Sequence, residues 1–173
     1  SAAFGVESCA AFELKTLHAE NIVIQNGRID FTGDFETVAR VNLWLRCADR
    51  VFIKMGEFRA ESFEDLFQGT KAIPWEEFLP EDACFPVSGK SVKSVLHSVP
   101  DCQAIVKKAV VERLKSVYHR NWFEETGAVY KIEVALLNDT ALLTLDTSGT
   151  GLHKRGYRET AGKAPKTAGA SVQ

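Results

Sequence analysis

The chain opens with hydrophobic patterns that alternate between helix and strand. Apolar residues follow a helical spacing over residues 5–18, and two short β-branched or apolar runs follow at residues 21–25 and 28–32. The Asn26-Gly27 pair that separates these runs is a strong signal for a hairpin turn. The pattern therefore predicts a helix followed by an antiparallel hairpin.

A second helix and another strand complete this first group of elements. Asp34 can cap a helix whose apolar positions continue to Arg46, and residues 50–59 return to a strand pattern. The predicted order is α-β-β-α-β, whereas a ferredoxin-like module has the order β-α-β-β-α-β. We interpret residues 1–60 as a ferredoxin-like subdomain without its first strand, and we expect the chain to begin inside a domain.

Residues 61–158 predict a second and larger group of elements. It begins with a connector that holds a short helix at residues 62–69 and an acidic, aromatic turn at residues 74–80. The tryptophans are expected to be buried in the core or beneath a loop: Trp44, Trp75 and Trp122.

A strand, a basic loop and a long helix follow the connector. The strand is expected at residues 85–88, the loop at residues 88–94 and the helix at residues 98–118. Ser98 and Asp101 stand at the positions of a capping box. One side of the helix is apolar, and its lysines are expected to lie away from that side: Lys107, Lys108 and Lys115.

Two further strands end the folded part of the chain. Residues 130–136 alternate between apolar and polar, Asn138-Asp139 forms a turn, and residues 141–145 are apolar. Residues 159–173 change to a composition that is typical of a linker or tail. The predicted fold class is α+β, with a truncated ferredoxin-like subdomain followed by a second α/β module.

Bulk composition is that of an ordinary globular protein. The 173 residues are 45% hydrophobic and 25% charged, which suffices for one good-sized domain or two small ones. No apolar run approaches the ~20 residues that a membrane span needs, and the N-terminus lacks a signal-peptide pattern. We therefore expect a soluble, cytoplasmic protein with no membrane partner.

The four cysteines, Cys9, Cys47, Cys84 and Cys102, are scattered along the chain. No C-x-x-C pair and no cluster of histidines accompanies them, so the sequence predicts no zinc site. We expect these thiols to be buried as small hydrophobic groups.

Charge is unevenly distributed, although the net charge is only −2. Residues 90–120 hold seven Lys or Arg against two acids, and residues 147–166 hold five against one. The remainder of the chain is strongly acidic. Such a distribution is typical of a protein that binds a polyanion on one face.

Motifs for nucleotide binding and catalysis are incomplete. Residues 89–91 (Gly-Lys-Ser) resemble the end of a P-loop, but that motif requires glycine where the chain has Cys84. Residues 149–151 would begin a dinucleotide-binding fingerprint only with glycine in place of Lys154. The histidines are spread out, with no nucleophile elbow or paired carboxylates, so we predict no catalytic residue.

Two loops remain as candidates for binding a polyanion. Residues 88–94 place lysines and hydroxyls around a glycine, and residues 146–158 combine cations, a histidine, a tyrosine and glycines. Cations and hydroxyls suit phosphate and sugar groups, and aromatic rings suit unstacked bases. The alternative for each loop is an ordinary solvated turn.

Five segments resemble a known family. They are AAFGVE at residues 2–7, NLWLRCADR at residues 42–50, FPVSGKSVKS at residues 85–94, SVPDCQAIVKK at residues 98–108 and LDTSGTGLHKRGYR at residues 145–158. Over nearly its whole length the chain resembles the N-terminal region of bacterial THUMP-containing RNA methyltransferases. These are similar to the large-subunit rRNA guanine-N2 methyltransferases, which often carry the label of N6-adenine-specific DNA methylases.

The resemblance implies a different domain and role for each of three segments of the chain. Residues 1–60 would be the ferredoxin-like subdomain, residues 61–158 a THUMP domain that binds structured RNA, and residues 159–173 a linker toward a C-terminal methyltransferase domain. That domain would use S-adenosylmethionine and act on large-subunit rRNA. We expect no cofactor and no catalysis in this fragment alone. The implied RNA contacts, together with the lysine side of the long helix, are Lys90, Ser91, Lys93, Lys107, Lys108, His153, Lys154, Arg155 and Arg158.

Two other functions remain open at this point. The family label suggests a specificity domain of an N6-adenine DNA methyltransferase. A protein interaction module is the other possibility, with the acidic residues and the region of Trp75 binding a partner and the basic patch docking the catalytic domain.

Overall fold

Residues 1–49 form the first unit of the structure, a computed structural model that describes residues 1–120, 122–149 and 151–152. Its elements are α1 (Glu7–Thr16), β1 (Glu20–Gln25), β2 (Arg28–Thr32) and α2 (Phe35–Trp44). The two strands pair antiparallel, and α1 packs against this hairpin. The predicted helix, hairpin and second helix are therefore confirmed.

Local hydrogen bonds explain where these elements begin and turn. The Asp34 carboxylate accepts the N–H of Thr37 at 2.8 Å, which caps α2 as predicted and lowers the pKa of Asp34. Gly27 turns the hairpin with a φ of 70°, a conformation that glycine adopts without strain. The Glu7 carboxylate accepts the N–H groups of Gly27 at 2.9 Å and Gly5 at 2.8 Å, and so joins the start of α1 to the hairpin turn.

The cysteines are less buried than predicted. Only Cys102 is buried, while Cys84 and Cys47 are half-buried and Cys9 is exposed. The prediction of four buried thiols is wrong because Cys9 and Cys47 lie at the surface of the first unit, with their Sγ atoms 2.8 Å apart. This contact with Cys9, together with burial and the nearby Glu13 carboxylate, raises the pKa of Cys47 to about 12.

Cys47 is expected to resist alkylation in the folded protein. Only the thiolate attacks iodoacetamide, and a pKa of about 12 leaves little thiolate at neutral pH. At a pH of about 8 we expect alkylation to be slower than in the urea-unfolded chain by a factor on the order of 10³, because an ordinary cysteine has a pKa near 8.5. The folded-state rate should still be rising with pH above about 9, where an ordinary cysteine is already mostly thiolate. Mass spectrometry of timed samples measures both rates.

The Cys9→Ala variant serves as the control for this prediction. It removes the leading cause of the raised pKa, so alkylation of Cys47 should become faster at the same pH. Equal rates for Cys47 in the folded and unfolded chain would contradict the assignment.

Residues 50–149 form the second unit. Its elements are β3 (Phe52–Arg59), α3 (Phe63–Ala72), a 3-10 turn (Trp75–Glu77), β4 (Val87–Val92), α4 (Val99–Tyr118), β5 (Ile132–Leu137) and β6 (Thr140–Asp146). The sheet order is β3-β6-β5-β4. The β4 and β5 strands are parallel and joined by α4, whereas β6 runs antiparallel to both of its neighbours.

The two faces of this sheet differ in character. Paired residues such as Val134 and Leu143 point to the side that α3 and α4 cover, and both are buried there. The opposite face is free of helices within the described part of residues 50–149, and one of its cross-strand rows is Lys54, Thr144, Glu133 and Ser88. The strands predicted at residues 130–136 and 141–145 are confirmed, including the turn at Asn138-Asp139, where both φ angles are positive.

The strand predicted at residues 50–59 exists, but its assignment to the first group of elements is wrong. As β3 it pairs along its length with β6 and forms an edge of the second sheet. Ile53 pairs with Leu145 and Phe58 with Ala141, which places the apolar side of β3 on the core face. The partner strand lies some 90 positions away, so local patterning carried no information about this pairing.

The basic loop predicted at residues 88–94 is also largely wrong, because β4 continues through it to Val92. Parallel pairing with β5 supplies the backbone hydrogen bonds that a loop would have left to water. Gly89 permits this arrangement, since an added Cβ would lie 3.2 Å from the side chains of both Val99 and Val134. Glycine here lets α4 approach the strand closely.

The predicted capping box of α4 is absent, while another one starts α3. Ser98 donates its hydroxyl hydrogen to the Asp101 carboxylate at 2.5 Å and does not accept a backbone N–H. At α3, Ser62 and Asp65 make both reciprocal bonds, at 3.1 and 3.0 Å. Among the described helices, none is long and apolar enough to cross a membrane.

The tryptophans divide between core and surface. Trp75 is 0% exposed, and its indole N–H donates to the carbonyl of Thr70 at 2.8 Å. Trp44 and Trp122 are 67% and 79% exposed, so their predicted burial is wrong. The buried indole of Trp75 anchors the predicted acidic, aromatic turn to the core.

Candidate nucleic-acid interface

Lys90 and Ser91 lie on opposite faces of the second unit, although they are neighbours in the sequence. Both belong to β4, where successive side chains alternate. Lys90 is on the open face of the sheet and contacts the Glu133 carboxylate at 2.8 Å. Ser91 faces the helices, and its hydroxyl donates to the carbonyl of Leu96 at 2.7 Å. Ser91 therefore contributes to folding at this point, and Lys90 alone presents a side chain to solvent.

Lys93 stands at an exposed turn that the fold holds in place. Its φ of 50° is in the left-handed region, at the end of β4. The Asp139 carboxylate accepts the N–H of Val95 at 2.7 Å, and the Ser94 hydroxyl accepts the N–H of Asp139 at 3.1 Å. These bonds fix the turn against the end of β5, so that it presents the Lys93 ammonium group to solvent.

Lys107 and Lys108 have different roles despite their adjacency on α4. The Lys107 Nζ lies 3.9 Å from the ring centroid of Phe85 and donates to the Phe85 carbonyl at 3.2 Å and to Glu125 at 2.5 Å. Lys108 is exposed and has no carboxylate partner among the described residues. Its ammonium nitrogen lies 5.8 Å from the ring centroid of Phe67. Lys107 thus belongs to the scaffold, whereas Lys108 remains a candidate contact.

Within the described residues 90–120, most cations are paired with carboxylates in the folded chain. Five of the seven cations in residues 90–120 form ion pairs with carboxylates, and the pairs are Lys90–Glu133, Lys107–Glu125, Arg113–Glu76, Lys115–Glu112 and Arg120–Glu81. Arg113 binds Glu76 through two nitrogens, which lowers the pKa of Glu76. The cations along residues 90–120 are thus largely neutralised, and most of the carboxylates that neutralise them come from segments that the sequence showed only as acidic.

Four lysines in the described residues 50–149 have no carboxylate within 4 Å. Lys93 and Lys108 are predicted contacts, whereas Lys71 and Lys131 are new. The sequence did not indicate Lys71 or Lys131, because each lies in a segment of acidic net charge. A signal did exist for Lys71: no acidic residue lies three or four positions from it on either side, so no helical ion pair was available.

A shallow depression of about 230 Å³ lies on the open face of the sheet. It is lined by Arg50, Phe52, Ser88, Lys131, Glu133 and Asp146. Arg50 forms an ion pair with Asp146 and donates to the carbonyl of Gly149 at 3.0 Å, so its charge is already engaged. Lys131 supplies the cation at this site that has no ion pair in the described structure.

The segment at residues 146–158 lies only partly within the described structure. Its first residues are anchored: Thr147 donates its N–H to the carbonyl of Val51 at 3.0 Å, and Ser148 donates to the Asp146 carboxylate at 2.9 Å. The start of the predicted flexible loop is therefore a fixed extension of β6. The remaining predicted contacts lie outside the described residues: His153, Lys154, Arg155 and Arg158.

Among the described residues, the glycine of the incomplete P-loop motif, Gly89, lies inside β4. A Cβ added at Gly89 would lie 3.2 Å from the Val99 side chain and 3.3 Å from the Gln103 side chain, so α4 packs closely on the strand at this position. Within the same described residues, no three His, Cys, Asp or Glu side chains come together to hold a metal ion. The groups that the described residues present for binding are lysine ammonium groups, held on a rigid sheet and a pair of helices.

Comparison with known protein families finds a match for each of the two parts of the chain. Residues 60–146 match the THUMP domain, and residues 1–52 match the RlmL ferredoxin-like domain. YpsC of Bacillus subtilis, a protein named as an RNA methyltransferase, is 54% identical over 95% of this chain and 43% of its own length. The ribosomal RNA large subunit methyltransferase K/L of Psychromonas ingrahamii is 33% identical over 93% of this chain and 22% of its own length.

Solved structures also match nearly the whole chain. A crystal structure from Listeria monocytogenes, described as a predicted N6-adenine-specific DNA methylase, is 55% identical and has a TM-score of 0.90 over 95% of this chain and 43% of that one. SMU.472, described as a methyltransferase complexed with SAH, is 48% identical with a TM-score of 0.88 over 91% of this chain and 43% of that one. The chain thus spans less than half the length of the relatives it matches. It belongs to the THUMP domain family, with a ferredoxin-like domain in front of the THUMP domain.

Proposed function

We propose that this chain is the RNA-recognition region of an S-adenosylmethionine-dependent methyltransferase that modifies large-subunit rRNA at guanine N2. The THUMP match over residues 60–146, in a chain that is 54% identical to a protein named as an RNA methyltransferase, carries the proposal. The rRNA substrate is supported by the likeness to the large-subunit methyltransferase K/L. Guanine N2 rests on the resemblance of the sequence motifs.

The charges of the second unit support binding through phosphates. Lys71, Lys93, Lys108 and Lys131 present ammonium groups that no described carboxylate neutralises. Lysines that bind phosphate oxygens orient RNA without reading its sequence, and they contribute affinity that depends on salt. Base selection and methyl transfer would then belong to the methyltransferase domain with which this region would act. The relative solved with SAH supports S-adenosylmethionine as the methyl donor there.

RNA binding can be tested with a fluorescein-labelled RNA stem-loop and a DNA stem-loop of the same sequence. Anisotropy titrations from about 50 to 200 mM KCl should show that affinity for RNA falls with salt, by roughly 0.7–0.9 log units per log unit of salt for each phosphate contacted. The Lys93→Gln variant should reduce that slope. Lys54→Gln is the matched control, because Lys54 is already paired with Glu57. An affinity for RNA that does not respond to salt would overturn the proposal.

The Listeria structure described as a DNA methylase supports a second candidate, a specificity domain for N6-adenine methylation of DNA. Competition separates the two functions, since unlabelled duplex DNA should displace the RNA poorly if RNA is the substrate. With the full-length protein and radiolabelled S-adenosylmethionine, nucleoside analysis of methylated 23S rRNA should show N2-methylguanosine. N6-methyladenine in DNA would favour the second candidate instead.

A further inference from the structure

Two lysines from different helices contact the same aromatic ring on the helical side of the second unit. The Nζ atoms of Lys71 on α3 and Lys108 on α4 each lie 5.8 Å from the ring centroid of Phe67. The two ammonium groups are therefore separated by less than twice that distance. Lys108 is exposed, and Phe67 and Lys71 are half-buried, so the cluster is at the surface.

The surroundings of this cluster leave both charges unpaired. Eight of the twelve Lys and Arg residues in residues 50–149 have a carboxylate partner, whereas Lys71 and Lys108 have none in the described structure. On the same two helices, Glu112 contacts Lys115 at 3.3 Å, and Glu64 accepts from Gln68 at 2.7 Å. A phosphate group at this surface would be attracted by both ammonium groups.

We propose that Lys71 and Lys108 form a phosphate-binding subsite on the surface where α3 packs against α4, and that it holds a phosphodiester group of the bound RNA. The inference rests on the proposed function, because RNA is the polyanion that this region would meet. It adds a contact surface on α3, which no sequence motif indicated, and it places that surface on the side of the sheet opposite to Lys90.

Phe67 acts as a positioning residue in this subsite. Its ring attracts both ammonium groups through cation–π interactions. The aliphatic parts of both lysines can lie along the ring while the charged ends stay in water. The ring thereby reduces the conformational freedom that the lysines would lose on binding a phosphate.

The test compares lysine variants in RNA titrations against salt. The Lys71→Gln/Lys108→Gln double variant should bind the labelled RNA stem-loop roughly tenfold more weakly at about 100 mM salt, and its salt slope should fall by about 0.7–0.9 for each phosphate that the variant no longer neutralises. Lys115→Gln is the matched control, since it removes one positive charge from the same helix but from a paired lysine. The Lys71→Arg/Lys108→Arg variant should retain wild-type affinity and slope.

The Phe67→Leu variant tests whether the aromatic ring positions the two lysines, while both lysine charges are kept. It keeps both lysines and an apolar side chain, so affinity should fall while the salt slope stays at the wild-type value. Urea unfolding of each variant identifies any that have lost their fold, and the Arg double variant then stands as the folded comparison.

The possible outcomes distinguish the subsite from the proposed function. If the wild-type chain binds RNA with a normal salt slope and the Gln double variant matches the effect of Lys115→Gln, the subsite is wrong and the function stands. If the wild-type chain does not bind RNA, both are overturned. A reduced slope in the Gln double variant together with retention in the Arg variant supports the subsite.

Discussion

The Trp75→Ala variant is expected to lose about 3–5 kcal/mol of unfolding free energy. Trp75 is 0% exposed, and it packs within the main core cluster of the second unit. Removing the indole leaves a large cavity and takes away the N–H that donates to the Thr70 carbonyl at 2.8 Å. Since domains have only about 5–15 kcal/mol of stability in total, this single change removes a large share of it. Urea unfolding followed by far-UV circular dichroism measures the shift of the midpoint.

Trp122→Ala is the matched control for this experiment. The same side chain is removed from the same unit, but Trp122 is 79% exposed, so the change in stability should stay within about 0.5 kcal/mol. Trp75→Phe should fall between the two, because it keeps an aromatic ring in the cavity and loses only the hydrogen bond and part of the volume. Equal midpoints for Trp75→Ala and Trp122→Ala would contradict the described core.

Gly69→Ala is expected to destabilise the protein, although replacing glycine by alanine inside a helix usually increases stability. Alanine is normally favoured over glycine inside a helix by about 1 kcal/mol. At Gly69 in α3, however, an added methyl group would overlap the ring of Phe58 on β3. Overpacking of this kind costs about 1–3 kcal/mol, so after the gain in helix propensity we expect a net loss of up to about 2 kcal/mol in urea unfolding.

A double-mutant cycle with Phe58 isolates the cause. In a Phe58→Ala background the overlap is gone, and Gly69→Ala should then stabilise the protein as helix propensity predicts. The two substitutions should therefore show a coupling of about 1–3 kcal/mol. A stabilising effect of Gly69→Ala in the wild-type background would show that α3 does not pack this closely on the sheet.

Both predictions concern the scaffold that carries the proposed phosphate subsite. Trp75 follows α3 and Gly69 lies within it, and their contacts hold α3 in place beside α4. Lys71 and Lys108 can share one ring only if the two helices keep this spacing. Weaker core packing should therefore reduce RNA binding only to the extent that it unfolds the protein.

Local patterns predicted most of the individual elements. Helical spacing located α1, α2 and α4, and the Asn26-Gly27 pair located the first hairpin. Alternation located β5 and β6. These predictions hold because helix periodicity, capping at Asp34 and turn formation depend on residues that are at most a few positions apart.

Interactions between distant residues account for the wrong predictions. The β3 strand joined a different sheet because its partner is β6, and β4 extended through a supposed loop because β5 supplies its hydrogen bonds. Trp75 is buried and Trp122 exposed, although both are aromatic residues in irregular segments. No local pattern distinguishes such cases, since burial depends on which elements pack together.

In the candidate site, too, the sequence predicted some features and only the tertiary structure decided others. Sequence pattern alone was sufficient to recognise the THUMP family, the order of most elements and the lysine-rich segments. Tertiary structure decided which lysines remain unpaired, because carboxylates from distant segments, such as Glu133 beside Lys90, neutralise charges that look uncompensated along the chain. It also brought Lys71 beside Lys108, 37 positions apart, onto one ring. The reason is physical: backbone preference acts over a few residues, whereas ion pairing and burial act between groups that only the folded chain brings together.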